Sequence, residues 1–230
     1  MSEAIRNIHK TFDMSLKQAL EMKSQSDAIK MAKMVIDLSR TTIDFAKVER
    51  VPRYSPTRRE NDAEHSYMLG LVATEIAASY FDWLDVGLVS QFSNVHDLAE
   101  VFTKDVPTFL LDEAGFIAKE LAEKEATEQL VKILPRYTGK LLLRYEVQKE
   151  PEARFVRHVD KLLPYAVDII SGTGKQVMAE DYNIHTSQQM LTSNERIETR
   201  FHLKFPEPSH EPLHRVHTIL ADRLAMEYDK

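Results

Sequence analysis

With 230 residues, 43% hydrophobic and 29% charged, the chain has enough apolar material for a real core, which argues against disorder. The absence of cysteine excludes disulfides, thiolate catalysis and thiolate-bound zinc. A net charge of −6 argues against general binding of polymeric nucleic acid, whose backbone is held by clustered lysine and arginine.

Ile5, Ile8, Phe12, Leu16 and Leu20 recur at helical spacing and predict an amphipathic N-terminal helix. We read residues 1–24 as a helical extension ahead of one domain over 25–230. Neither the N-terminus nor any later stretch has an apolar run suited to a signal or a membrane span, so a soluble cytoplasmic protein is expected. Ser26 or Asp27 can cap a second helix carrying Ile29, Met34, Leu38 and Phe45. The stretch from Lys47 to Arg59, with two prolines and four arginines, reads as an extended basic loop. Asn61 or Asp62 then caps a helix reaching about Tyr80, with His65 in its first turn.

A helix from about Leu84 to Val101 carries His96 and Asp97 near its end, and Asp105-Val106-Pro107-Thr108 breaks it. Exposed, charged helix is predicted from about Asp112 to Leu134, and another over Leu141 to Val147. Pro151 opens a helix running to Gly172, with Pro164 as a possible kink. Helices over about Ile184 to Leu203 and Pro212 to Tyr228 complete the chain. No sustained period-two alternation marks a sheet, and the expected fold is all-α.

Four side chains stand out. His65, the pair His96-Asp97, and Asp160 offer two imidazoles and two carboxylates on three apolar segments. Asp160 lies among Val156, Val159, Leu162 and Leu163, where a carboxylate is costly unless paired or metal-bound. Such a set suits one divalent cation, Mn, Co, Fe, Ni, Zn or Mg, and leaves coordination positions for water and a phosphoryl oxygen. Glu100, four residues beyond His96, reaches the same side if that segment is helical.

Three stretches carry a resemblance. They are Glu60-Asn61-Asp62-Ala63-Glu64-His65-Ser66, His96-Asp97-Leu98-Ala99-Glu100 with the sequence on to Thr108, and Glu152 to Lys161 around Asp160. Together they resemble the HD-domain metal-dependent phosphohydrolases, most closely the branch containing 5′-deoxynucleotidases. The resemblance implies an all-α HD-domain fold with His65, His96, Asp97 and Asp160 as metal ligands. It also implies that Glu100 acts as general acid, with Asp97 beside it in the catalytic set. Arg50 and Arg53 would clamp phosphate, Asp105 would face the sugar with Thr108 nearby, and Lys104 and Lys161 are further substrate contacts. The implied reaction is hydrolysis of nucleoside 5′-monophosphates, with deoxynucleotides favoured and a homodimer as the common assembly. Hydrolysis of triphosphates, cyclic or signalling nucleotides is one alternative, and a non-catalytic nucleotide-binding module is another. Tyr54-Ser55-Pro56 replaces the small residue and tryptophan that often follow Val-Pro-Arg in that branch, which leaves base and sugar preference open.

Two other motifs are set aside. His210-Glu211-Pro212-Leu213-His214 fits H-E-x-x-H, but Pro212 belongs in a first helical turn and leaves His210 outside the helix. Gly172-Thr173-Gly174-Lys175 lacks the rest of a P-loop and reads as a helix cap.

Overall fold

The computed structural model describes residues 25–107 and 111–229. Among them are eleven α-helices, two short 3-10 turns and one two-stranded hairpin, so the fold is all-α as expected. The helix read over residues 1–24 and the candidate Thr108 lie outside the described residues. The chain divides into two units, Met1–Arg40 and Thr41–Lys230. Helix α1 (Gln25–Phe45) supplies the described part of the first, and everything below concerns the second.

The basic stretch after α1 is not a loop. It folds back on itself as an antiparallel hairpin, β1 (Glu49–Ser55) and β2 (Arg58–Asn61), with Glu49 opposite Asn61 and Arg53 opposite Arg59. The register slips between Glu49 and Arg53 and again between Arg53 and Ser55. Pro52, which cannot donate to a ladder, lies in the first irregular stretch. Two irregularities in a strand of 7 residues erase the alternation by which strands are recognised.

Asn61 closes β2 and caps α2 (Asp62–Tyr80) in a full capping box with Glu64, which fixes His65 in the first turn. Helix α2 packs on α3 (Val86–Val95), capped by Asp85. The helix expected to reach Val101 stops early. His96 is its C-cap, and the backbone tightens into turns in which Leu98 N–H donates to Val95 O (3.2 Å) and Glu100 N–H to Asp97 O (2.8 Å). The chain then restarts as the single turn α4 (Glu100–Thr103).

Asp112 caps α5 (Glu113–Leu130), and α6 (Arg136–Val147) follows Pro135. The expected helix from Pro151 to Gly172 is two helices, α7 (Pro151–Asp160) and α8 (Leu163–Ser171). Pro164 has no N–H to offer the Asp160 carbonyl, and its ring would collide there. Helix α7 therefore ends at Asp160, and Pro164 falls into the first turn of α8. Gly172 ends α8 with φ 66°, a left-handed conformation that costs glycine little, as the cap reading required. Helix α9 (Gly174–Tyr182) was not expected; α10 (Ser187–Lys204) and α11 (Glu211–Ala225) were.

Helix α3 is the pivot, packed against α2, α6 and α7 with Val89 and Phe92 buried. A second cluster joins β1, α8, α9 and α11 through Val51, Tyr165, Val177, Met178 and Leu224. The two clusters bring the ends of α3 and α7 beside the hairpin, and the site forms there.

The His210-to-His214 motif belongs to the core rather than to a zinc site. His158 stacks on Phe205 (ring centroids 4.6 Å apart) and its Nδ1 lies 2.9 Å from His210 Nδ1. His214 Nε2 donates to Phe205 O (3.0 Å), and His217 Nε2 lies 3.2 Å from the Tyr165 hydroxyl. Burial pushes both His210 and His217 down to about 4. An unfolded chain holds them near the ordinary value of about 6.5. Between those two values the unfolded state binds more protons, so these histidines withdraw stability as pH falls from about 6.5 to about 4 and add no pH dependence above that window. The expected loss across that window is on the order of a few kcal/mol. Urea titrations of the wild type and His217→Phe at pH 7 and pH 5 check this. The variant should show the shallower pH dependence; identical dependence would contradict the assignment.

Candidate metal centre

Four elements deliver the ligand candidates: His65 from the first turn of α2, His96 from the cap of α3, Asp97 from the turn after it, and Asp160 from the last residue of α7. One donor atom from each lies within 4.8 Å of the others. Asp160 Oδ1 is central, 2.8 Å from His65 Nε2 and 3.8 Å from His96 Nε2. Asp97 Oδ2 is 2.8 Å from His96 Nε2, and the two imidazole centroids are 5.3 Å apart.

The ring orientations fit a cation. His96 Nδ1 lies 2.9 Å from Ser93 O, and a carbonyl only accepts, so Nδ1 carries a proton and Nε2 is the ring nitrogen turned toward the carboxylates. That Nε2 is buried without a hydrogen-bond partner among the described residues. Behind His65, Glu60 Oε2 stands 3.3 Å from Nδ1, the carboxylate backing that orients a ligating histidine. Imidazole nitrogens and carboxylate oxygens that converge in a buried site are the donor types that share one cation, so the residues fit a divalent ion.

Charge counting points the same way. The Arg50 guanidinium faces five carboxylates: Asp97 Oδ2 at 2.8 Å, Asp62 Oδ1 at 3.2 Å, Glu60 Oε2 at 3.4 Å, Glu100 Oε2 at 3.9 Å and Asp160 Oδ1 at 4.0 Å. Burial opposes the Arg50 cation, but Asp97, Asp105, Asp160 and Glu100 outweigh it and hold its proton tightly. Burial would likewise raise the Asp97 carboxyl, yet His96 and then Arg50 pull it well below the usual range. Asp160 is also held low against its burial, chiefly by Lys161, whose Nζ is 2.6 Å from Oδ2, and by the two histidines.

Glu100 behaves oppositely. It is buried, its Oε2 lacks a hydrogen-bond partner, and Lys119 is 3.6 Å from its Oε1. Burial first, then Asp97 and Asp105, push its carboxyl well above the ordinary range. Burial and these acidic neighbours thereby favour its protonated form.

These groups line a cavity of about 220 Å³. Arg50, His96, Asp97, Glu100, Asp105, Asp160 and Lys161 are all on its wall. Arg53 and Lys104, both expected near substrate, are not among the lining residues. Arg53 Nη2 is bound by Asp181 (2.8 Å) and Nη1 by Glu180 (2.9 Å). The strand register slips between Arg50 and Arg53, and the two arginines end with different partners. Lys104 is exposed in a turn with φ 64°.

Sequence reading gave no role to Glu60 or Asp168, and offered Asp62 only as a possible helix cap. Glu60 and Asp62 are fully buried beside Arg50, but next to a capping box they look like ordinary helix-start acids. Asp168 stands in Val167-Asp168-Ile169-Ile170, the same carboxylate-among-apolar pattern that singled out Asp160.

A sequence model of the HD domain family matches residues 45–203. The 5′-deoxynucleotidases of Yersinia pestis (strain Pestoides F) and Yersinia pseudotuberculosis (serotype O:3, strain YPIII) are each 29% identical over 127 residues. That match spans 51% of this chain and 64% of each relative, so less than two thirds of their length is covered. The crystal structure of a predicted metal-dependent phosphohydrolase from Magnetospirillum magnetotacticum MS-1 shares the fold. Its TM-score is 0.61 at 23% identity, covering 84% of this chain and 94% of that one.

Proposed function

The chain belongs to the HD-domain family, and from its cavity chemistry we propose a metal-dependent phosphohydrolase that converts nucleoside 5′-monophosphates, deoxynucleotides foremost, to nucleoside and phosphate. The observation that carries this is the meeting of four ligand-type donors within 4.8 Å, with His96, Asp97 and Asp160 on one cavity wall beside a buried acid, Glu100. The names of the Yersinia relatives support the substrate class.

In this reading His65, His96, Asp97 and Asp160 hold the cation. When bound there, a divalent ion supplies Lewis-acid charge at a phosphoryl oxygen and lowers the pKa of water. Arg50 is gripped from behind by the buried Glu60 and Asp62 and turns Nη1 toward Asp97, so its position is set before substrate arrives. A phosphate entering there meets a planar, preoriented guanidinium. Glu100 holds a proton and gives it to the departing 5′-oxygen, which would otherwise leave as a poor alkoxide. Asp105, on the same wall, accepts from a sugar hydroxyl. Lys161 neutralises the outer oxygen of Asp160.

The test is phosphate release from a panel of ribo- and deoxyribonucleoside monophosphates, with Mn or Co added, by the wild type and Asp97→Ala. The proposal expects release by the wild type alone; equal release by both would rule out catalysis at this centre. One observation favours a second reading: Arg157, Lys161, Arg200 and Lys204 line the cavity beyond the cluster. Those cations suit a substrate with more than one phosphoryl group. Separating phosphate, pyrophosphate and triphosphate among the products decides between them.

A further inference from the structure

Asp168 is a second buried acid on the cavity wall, apart from the ligand cluster. It comes from α8, is 2% exposed, and forms no ion pair among the described residues. Its Oδ1 is buried with no hydrogen-bond partner. Arg53, the cation that most draws on its charge, is already taken by Asp181 and Glu180. Leaving a buried carboxyl unpaired is costly, and such groups ordinarily have a partner. Burial, reinforced by Glu60, pushes it up to about 7, so both protonation states are present near neutral pH.

The surroundings indicate what the partner is. Val51, Pro52, Tyr165, Val177, Met178 and Tyr182 line the cavity with it, an apolar and aromatic wall suited to a flat ring. Tyr182 lies within electrostatic reach of Asp105, Asp168 and Arg50. Arg50, Asp105, Tyr182 and Asp168 thus line one cavity. A nucleotide whose phosphate is held at Arg50 would lay its base on the apolar wall that includes Asp168.

We propose that Asp168 reads the nucleobase by accepting from two adjacent donors on one base edge, so that guanine is preferred over the other bases. The assignment rests on the nucleotide-binding reading of the cavity. A carboxylate accepts twice and a carboxylic acid accepts once and donates once. The ionised form matches guanine, whose ring N–H and amino group are adjacent donors. The neutral form donates once and accepts once, which an edge of adenine, cytosine, thymine or uracil can meet equally, so it does not tell those four apart. Thymine and uracil present one N–H between two carbonyls. A carboxylate set against that edge leaves a carbonyl facing an acceptor, and a buried mismatch of this kind is what polar sites reject.

The test is calorimetric binding of deoxyadenosine, deoxyguanosine, deoxycytidine and thymidine to the full chain, which needs no turnover. Wild type should bind deoxyguanosine about tenfold more tightly than thymidine. Asp168→Leu should reduce that spread to about twofold or less. Asp168→Asn, which offers one acceptor and one donor, should weaken deoxyguanosine about tenfold while sparing deoxyadenosine and deoxycytidine. This base-selective split is not expected of a residue that only props the fold, and it serves if the leucine variant fails to fold. Equal or absent binding of all four by wild type, or a preference that survives both substitutions, would overturn the proposal. Discrimination among nucleosides without phosphate release from any nucleotide would sink the phosphohydrolase reading and leave Asp168 standing. Phosphate release with no base preference would do the reverse.

Discussion

Replacing Asp160 by asparagine is expected to abolish both metal retention and turnover. Asp160 Oδ1 lies within 4 Å of both imidazoles, 2.8 Å from His65 Nε2 and 3.8 Å from His96 Nε2, so its charge joins the two histidines into one site. An amide oxygen fits the space but brings no negative charge. We expect kcat/KM to fall by a factor on the order of 10³ or more, about 4 kcal/mol of transition-state stabilisation. The fold should survive, because only one of the five acidic side chains facing a single guanidinium is being replaced. The informative readout is thermal. Added Mn should raise the Tm of the wild type by ligand linkage and leave that of Asp160→Asn unmoved. A variant that still gains Tm with metal would remove Asp160 from the ligand set.

Glu100→Gln should separate proton donation from metal binding. Glu100 is not among the four clustered donors, so metal content is expected to match wild type. The rate constant kcat should drop about 10²- to 10³-fold, with little change in KM, as for loss of a general acid. The pH profile supplies the sign. Burial, Asp97 and Asp105 raise the Glu100 carboxyl, and the protonated form is the active one. Wild-type activity should therefore decline as pH rises through that raised value, and the glutamine variant should lose this alkaline limb. A phosphate ester with a good leaving group, such as p-nitrophenyl phosphate, needs no donated proton and should be affected far less. An equal loss on both substrates would make Glu100 a structural residue.

Much of this site was legible in the sequence because its chemistry breaks the apolar pattern. Asp160 among Val156, Val159 and Leu162, and His96-Asp97 after Phe92 and Val95, stand where burial alone would place hydrocarbon. The helix that carries His65 followed from its cap, Asn61, and most others from apolar spacing. What was not legible depends on backbone detail. The periodicity around His96 does not reveal that the helix ends there, because i→i+3 turns keep nearly the same side-chain spacing. Pro164 announced a disturbance, but whether it bends one helix or divides two depends on packing. The hairpin stayed hidden because its bulges and prolines mimic a loop. That misreading also made Arg50 and Arg53 look equivalent, whereas Arg50 lines the cavity and Arg53 is tied to α9 through Asp181 and Glu180. Glu60 escaped because a carboxylate before a helix start is common; its burial against Arg50 and His65 becomes visible only in three dimensions. No helix among the described residues is long and apolar enough to cross a membrane.

Anomalous scattering at the manganese edge, from crystals of the full chain grown with Mn, tests the central claim most directly. The account predicts one strong peak within bonding distance of His65, His96, Asp97 and Asp160, and its loss in Asp160→Asn crystals grown identically. A peak elsewhere, or Arg50 still seated against Asp97 with no density between the two histidines, would contradict it.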